Sequence, residues 1–93
     1  MKQLGGTSRP GDEAELKLPT EVSVRAAGMP SVITTVEQAI EMIDRRLPPE
    51  LAKLPRWTFA RALLIEAIKT RKSRDMKAAI RQLQQALRNE RWS

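Results

Sequence analysis

The chain has 93 residues, a net charge of +6 and no cysteine, histidine or tyrosine. Its length suits one domain, and the lack of cysteine excludes disulfides and thiolate metal sites. The N-terminal residues have no apolar segment of the kind found in signal peptides, and no apolar run reaches the ~20 residues of a membrane span. These features predict a cytoplasmic protein.

Positive charge is concentrated in the second half of the chain. Residues 1–50 carry six Lys or Arg and eight Asp or Glu, for a net charge of −2. Residues 51–93 carry eleven Lys or Arg and three Asp or Glu, for a net charge of +8. Such an asymmetry is typical of a chain that binds a polyanion or an acidic protein surface, and it also serves solubility alone.

Residues 1–18 are predicted to be a flexible arm, because they are rich in Gly, Pro and charged residues and have no apolar period. Residues 19–93 are predicted to form a single small domain. Its first element is a strand over residues 21–27, in which Val22, Val24 and Ala26 lie on one face. A turn containing Gly28 and a β-branched second strand over residues 32–34 complete a hairpin.

A helix is predicted to follow the hairpin directly. Thr35 and Gln38 have the spacing of a capping box, in which the Thr hydroxyl accepts from the third helical N–H and Gln reaches back. Apolar residues then recur at helical spacing from Val36 to Leu47. Pro48 and Pro49 end this helix, because a residue before proline avoids the α conformation.

Two more helices are predicted after a linker. The central helix, residues 56–70, has an apolar face covering about half of its circumference, made of Trp57, Phe59, Ala60, Leu63, Leu64, Ala67 and Ile68. Ser73 is predicted to cap a third helix, residues 74–89, whose apolar stripe is narrower. The predicted fold is therefore α+β, with an N-terminal antiparallel β-hairpin packed against three α-helices.

This order of elements resembles a small bacterial family, catalogued as domain of unknown function 982, over about residues 21–92. The resemblance is carried by Val22 and Val24 in the first strand, by the run Thr-Val-Glu-Gln-Ala at residues 35–39, and by Leu47 before Pro48. Leu47 stands where the family favours Trp. The resemblance implies this fold and a bacterial source, and it implies no activity.

The residue types point away from catalysis. Without His, Cys and Tyr the usual proton carriers and thiol nucleophile are missing, and no strand leads into a Gly-rich phosphate loop. Glu37, Glu41 and Asp44 share one helical face, where they either bind a hard cation or form a solvated face that pairs with basic residues. We favour the second interpretation and predict no enzyme activity, catalytic residue, cofactor or metal.

The main candidate site is a basic cluster around Ser73. A helix N-terminus attracts anions through its free N–H groups, and nearby cations strengthen such a site. The candidate contacts for an anion or a nucleic acid are Lys69, Arg71, Lys72, Arg74, Lys77 and Arg81, with Arg88 further along the same face. The alternative is a basic helix face that is only solvated. Trp57 is predicted to lie in the core, whereas Trp92 either covers the domain or anchors a partner.

Two functional hypotheses follow from these patterns. The first is a non-catalytic interaction module that binds another protein or itself. The second is a nucleic-acid-binding protein that uses the basic cluster on phosphates. The sequence alone does not separate them, because the same Lys and Arg pattern serves both.

Overall fold

A computed structural model describes residues 15–92. The elements, in chain order, are β1 (Lys17–Ser23), β2 (Val32–Thr35), α1 (Val36–Glu41), a π-helical turn (Met42–Arg46), α2 (Pro49–Ala52), α3 (Pro55–Thr70) and α4 (Ser73–Asn89). The two strands pair antiparallel and the helices follow. The predicted α+β architecture of a hairpin on three helices is confirmed, with α2 as an additional single turn in the linker.

The predicted boundaries of the first strand are wrong at both ends, whereas the second strand begins at Val32 as predicted and extends one residue further, to Thr35. β1 begins at Lys17 and ends at Ser23, and Leu18, assigned to the arm by its sequence, is buried in the core. The ladder places Val22 opposite Ile33 and is irregular between Lys17 and Val22, where Pro19 has no N–H to donate. The rest of the predicted arm, residues 1–14, lies outside the described residues.

The hairpin turn is formed as its glycine suggests. Gly28 has a φ of +80°, which is readily adopted only without a side chain. The N–H of Val24 donates to the carbonyl of Ser31 at 2.9 Å, so pairing continues past the end of β1. Val22 and Val24 are both buried, which confirms the predicted inward face.

The start and the stop of α1 follow from local sequence. The Gln38 N–H donates to Thr35 Oγ1 at 3.0 Å, as predicted for the cap. The Gln38 side chain accepts from the N–H of Thr34 at 2.8 Å, one residue earlier than a capping box requires. The last turn widens, since the N–H of Leu47 donates to Met42 five residues back. Leu47 is extended before Pro48, which confirms the predicted stop.

The helices α3 and α4 supply most of the helical core. Their buried residues are Trp57, Ala60, Leu64 and Ala67 on α3, and Ala79, Ile80, Leu83, Ala86 and Leu87 on α4. The prediction that Phe59 belongs to this core is wrong, because its side chain is 55% exposed. Two residues after the fully buried Trp57, Phe59 lies nearly on the opposite side of the helix.

The buried faces of α3 and α4 contain several small side chains. Side-chain contacts between Arg56 and Glu90 and between Thr70 and Asp75 fix an antiparallel register. Both helices carry alanines on their buried faces, Ala60 and Ala67 on α3 and Ala79 and Ala86 on α4. All four alanines are fully buried. The buried faces of the two helices therefore mix alanines with large side chains such as Leu64 on α3 and Leu83 on α4.

The two residues after Glu90 attach the C-terminal end of α4 to the rest of the domain. Arg91 adopts a left-handed φ of 64°, and the N–H groups of Arg91 and Trp92 donate to Arg88 and Leu87, the pattern of a Schellman motif. The Trp92 ring lies 6.2 Å from that of Trp57, at 43°. Its carbonyl accepts from the N–H of Arg25. Of the two roles predicted for Trp92, the structure shows the covering one.

Candidate functional site

The six predicted contact residues are all exposed, but they do not form one surface. Lys69 lies on the outer face of α3, at the helical angle shared by Thr58 and Ala62. Arg71 and Lys72 form the turn between α3 and α4. The remaining three share one face of α4 with Arg88, and we call these four the basic stripe: Arg74, Lys77, Arg81 and Arg88. Its backbone spans about 21 Å, at 1.5 Å per residue.

The charges of the basic stripe are not neutralised within the described part of the chain. The two ion pairs between residues 15 and 92 are Arg56–Glu90 at 3.0 Å and Arg61–Asp44 at 2.7 Å, and neither includes a stripe residue. Asp75, the single acid of α4, accepts a hydrogen bond from the Thr70 hydroxyl. The stripe is therefore a row of four cations in solvent, on a helix whose opposite face is buried.

The start of α4 differs from the prediction. The N-cap is Lys72, and no side chain among the described residues caps it; Ser73 is already the first helical residue. The preceding turn explains the shift, because Arg71 takes a left-handed φ of 57° and its N–H donates to Ala67. Thr70 Oγ1 then accepts from the N–H of Lys72 at 3.3 Å. This hydrogen bond holds the turn before α4, and the prediction that Ser73 caps the helix is wrong.

The acidic residues of the first helix are drawn apart by other contacts. Glu37 accepts from the N–H of Leu16 at 2.8 Å, and Asp44 binds the Arg61 guanidinium through both oxygens, at 2.7 and 3.1 Å. This hydrogen bond, with the charge of Arg61, holds the pKa of Asp44 below its ordinary value. Among residues 15–92 there is no group of three His, Cys, Asp or Glu placed to share a metal ion.

Two open cavities flank the exposed side of α1. One, of about 390 Å³, lies between α1 and the hairpin turn, lined by Gly28, Met29, Pro30, Gln38, Glu41, Met42 and Arg46. The other, of about 320 Å³, lies at the start of the helix and shares Gln38 and Glu41 with the first. Arg46 donates to the carbonyl of Gly28 at 3.1 Å across the first cavity. Both cavities are open to solvent; the first has a mixed polar and apolar lining, and the second is mainly polar.

The aromatic residues divide into a buried pair and an exposed ring. Trp57 is fully buried, and its indole N–H donates to Glu90 at 3.0 Å, so it has no face to offer a ligand. Phe59 is the most exposed large apolar side chain of the described residues. The sequence did not indicate this exposure, because Phe59 falls within the apolar arc of the predicted helix. The angle of 160° between Trp57 and Phe59 is the signal that separates the two.

Comparisons of the chain with family models, with curated proteins and with solved structures find no match. The resemblance to domain of unknown function 982 therefore stays a prediction. Over residues 15–92, none of the helices combines the length and the apolar character that crossing a bilayer requires.

Proposed function

We propose that this chain is a non-catalytic binding module and that its ligand is a nucleic acid held by the basic stripe. The observation that carries the proposal is the row of four exposed cations on one face of α4, with no acidic partner in the described residues. A rigid row of cations suits the regular charge of a phosphate backbone, because each contact releases condensed counterions.

The chemistry of the stripe favours a nucleic acid over an acidic protein. The centre of a protein–protein interface is usually apolar and poor in charge, whereas α4 carries no exposed large apolar residue. Between Arg81 and Arg88 lie the amides of Gln84 and Gln85, which have both donors and acceptors for base edges. A protein partner, or a second copy of this chain, is the competing kind of ligand that the experiment must separate.

The first test is the salt dependence of binding, measured by fluorescence anisotropy with labelled 12-nucleotide strands and the matching duplex. Four phosphate contacts predict a slope of log K against log salt of about −2.8 for a single strand and about −3.6 for a duplex. For the single strand this corresponds to an affinity about 50-fold lower at 200 mM than at 50 mM salt. No saturable binding at 50 mM salt would refute the proposal.

A pair of triple variants then locates the contact. The stripe variant R74A/K77A/R81A should bind at least tenfold more weakly and with a slope near −0.7, since one contact remains. Alanine is the best helix former, so α4 should stay folded. The control K17A/R25A/K53A removes an equal number of positive charges, three, from exposed positions outside α4. It should bind nearly as the wild type does.

Two results would contradict this assignment. Equal losses in the two variants would mean that net charge, and not the stripe, attracts the ligand. Binding of a poly-glutamate peptide by the wild type but not by the stripe variant, without any binding of nucleic acid, would identify an acidic protein surface as the partner. Mass measurements from 10 to 500 μM test the second copy as a partner.

A further inference from the structure

Phe59 stands on the flank of α3 that borders α4. Arg56, three residues earlier on this flank, contacts Glu90 of α4 through its side chain and Gln82 through its carbonyl. Leu63, four residues later, is half-buried. Phe59 therefore lies next to the seam between the two helices, and the residue is 55% exposed.

The basic stripe lies around α4 from the seam that Phe59 borders, on the face opposite the buried one. Gln82 marks the side of α4 that meets α3, since its amide donates to the carbonyl of Arg56 at 3.3 Å. Stepping about 100° per residue, Gln85 follows around the circumference, and Arg81 comes next. The surface therefore changes from an aromatic ring through amide groups to a row of cations.

We infer that the ligand of the stripe is a single strand, and that Phe59 stacks on one of its bases while Arg81 and its stripe neighbours hold the phosphates. This inference rests on the proposed function. In a duplex the base faces are covered by their neighbours, whereas an open strand offers them to aromatic side chains. An exposed aromatic ring together with a row of cations is the combination by which proteins bind single strands without strong sequence preference.

Three single variants separate stacking from apolar contact and from general surface change. Phe59→Ala should weaken binding of a 12-nucleotide RNA or DNA strand about tenfold, because stacking on one base is lost. Phe59→Leu keeps an apolar side chain without an aromatic face and should lose nearly as much. Val32→Ala shortens the other exposed large apolar residue, on β2, and should bind as the wild type does.

A direct readout is available because Phe59 is the single phenylalanine of the chain. Fluorophenylalanine labelling therefore gives one ¹⁹F resonance from this ring. The resonance should shift on addition of the single strand and stay in place on addition of the duplex. It should also shift less in the stripe variant R74A/K77A/R81A at the same strand concentration, because fewer molecules are bound.

The outcomes distinguish this inference from the proposed function. If the duplex binds as tightly as the strand, and Phe59→Ala has no effect while the stripe variant loses binding, the single-strand inference is wrong and nucleic-acid binding stands. If Phe59→Leu binds fully, the contact is apolar and the stacking role is wrong. If no oligonucleotide binds to the wild type, both proposals fail together.

Discussion

Replacing Glu90 by alanine should destabilise the domain more than any other change to a single ion pair. One oxygen of Glu90 accepts from Trp57 Nε1 at 3.0 Å and from Arg56 Nε and NH2 at 3.2 and 3.0 Å. The Trp57 ring is fully buried, so its N–H would be left without an acceptor, at a cost of about 1–3 kcal/mol. Losing the partly exposed pair with Arg56, whose side chain is 34% exposed, adds up to about 1 kcal/mol.

The expected total is a loss of about 1–4 kcal/mol in the free energy of unfolding, or a Tm lower by about 4–30 °C for a domain of this size. Thermal and urea unfolding followed by circular dichroism measure it. Glu90→Gln retains an acceptor for Trp57 and should lose about half as much. Glu66→Ala, at an exposed position of α3, is the control. A Glu90→Ala protein within 0.5 kcal/mol of the wild type would refute the account of this cluster.

Three further predictions concern local features. Arg71→Gly should raise the free energy of unfolding by about 0.5–1 kcal/mol in urea titrations, because φ of 57° strains a side-chain-bearing residue and not glycine; a loss of stability would mean that the Arg71 side chain makes a contact that matters. Thr35→Ala should cost about 1 kcal/mol in the same assay, since the Gln38 N–H loses its acceptor, and an unchanged midpoint would contradict the capping role. Asp44→Asn should cost up to about 1 kcal/mol at pH 7, since both members of the pair with Arg61 are more than 40% exposed. Because the pKa of folded Asp44 lies below its ordinary value of 3.8, the ion pair contributes its full stability at pH values above 3.8. This contribution should be lost at lower pH, as acid protonates the carboxylate in the folded protein. A difference between the two proteins that persists at pH 2 would exclude this cause.

Local rules were enough to predict the parts of the fold that depend on neighbouring residues. The Thr35 cap and the stop before Pro48 each involve groups a few residues apart, and alternation alone placed Val22 and Val24 inside. The strand boundary at Lys17 was not predictable in this way, because it depends on pairing with Thr35 across the sheet. Tertiary pairing decides which weakly patterned residues join a strand.

The candidate site was predictable as a set of exposed charges but not as a surface. Helical spacing alone groups Arg74, Lys77 and Arg81, and the structure confirms that they are exposed. Phe59 was wrongly assigned to the core because a wide apolar arc does not show which of its residues the neighbouring elements cover. Contacts such as Trp57–Glu90 join residues 33 positions apart, and no spacing rule in one sequence relates them.

The buried core between α3 and α4 has a consequence for the thermodynamics of binding. Because one buried core that includes Ala60, Leu64, Leu83 and Ala86 joins the two helices, the ring of Phe59 and the basic stripe are carried on one preorganised backbone. A disordered basic tail loses conformational entropy when it binds. In this domain that entropy is lost when the chain folds, before any ligand binds. Association should accordingly be fast and should leave amide hydrogen exchange in the cores of both helices unchanged.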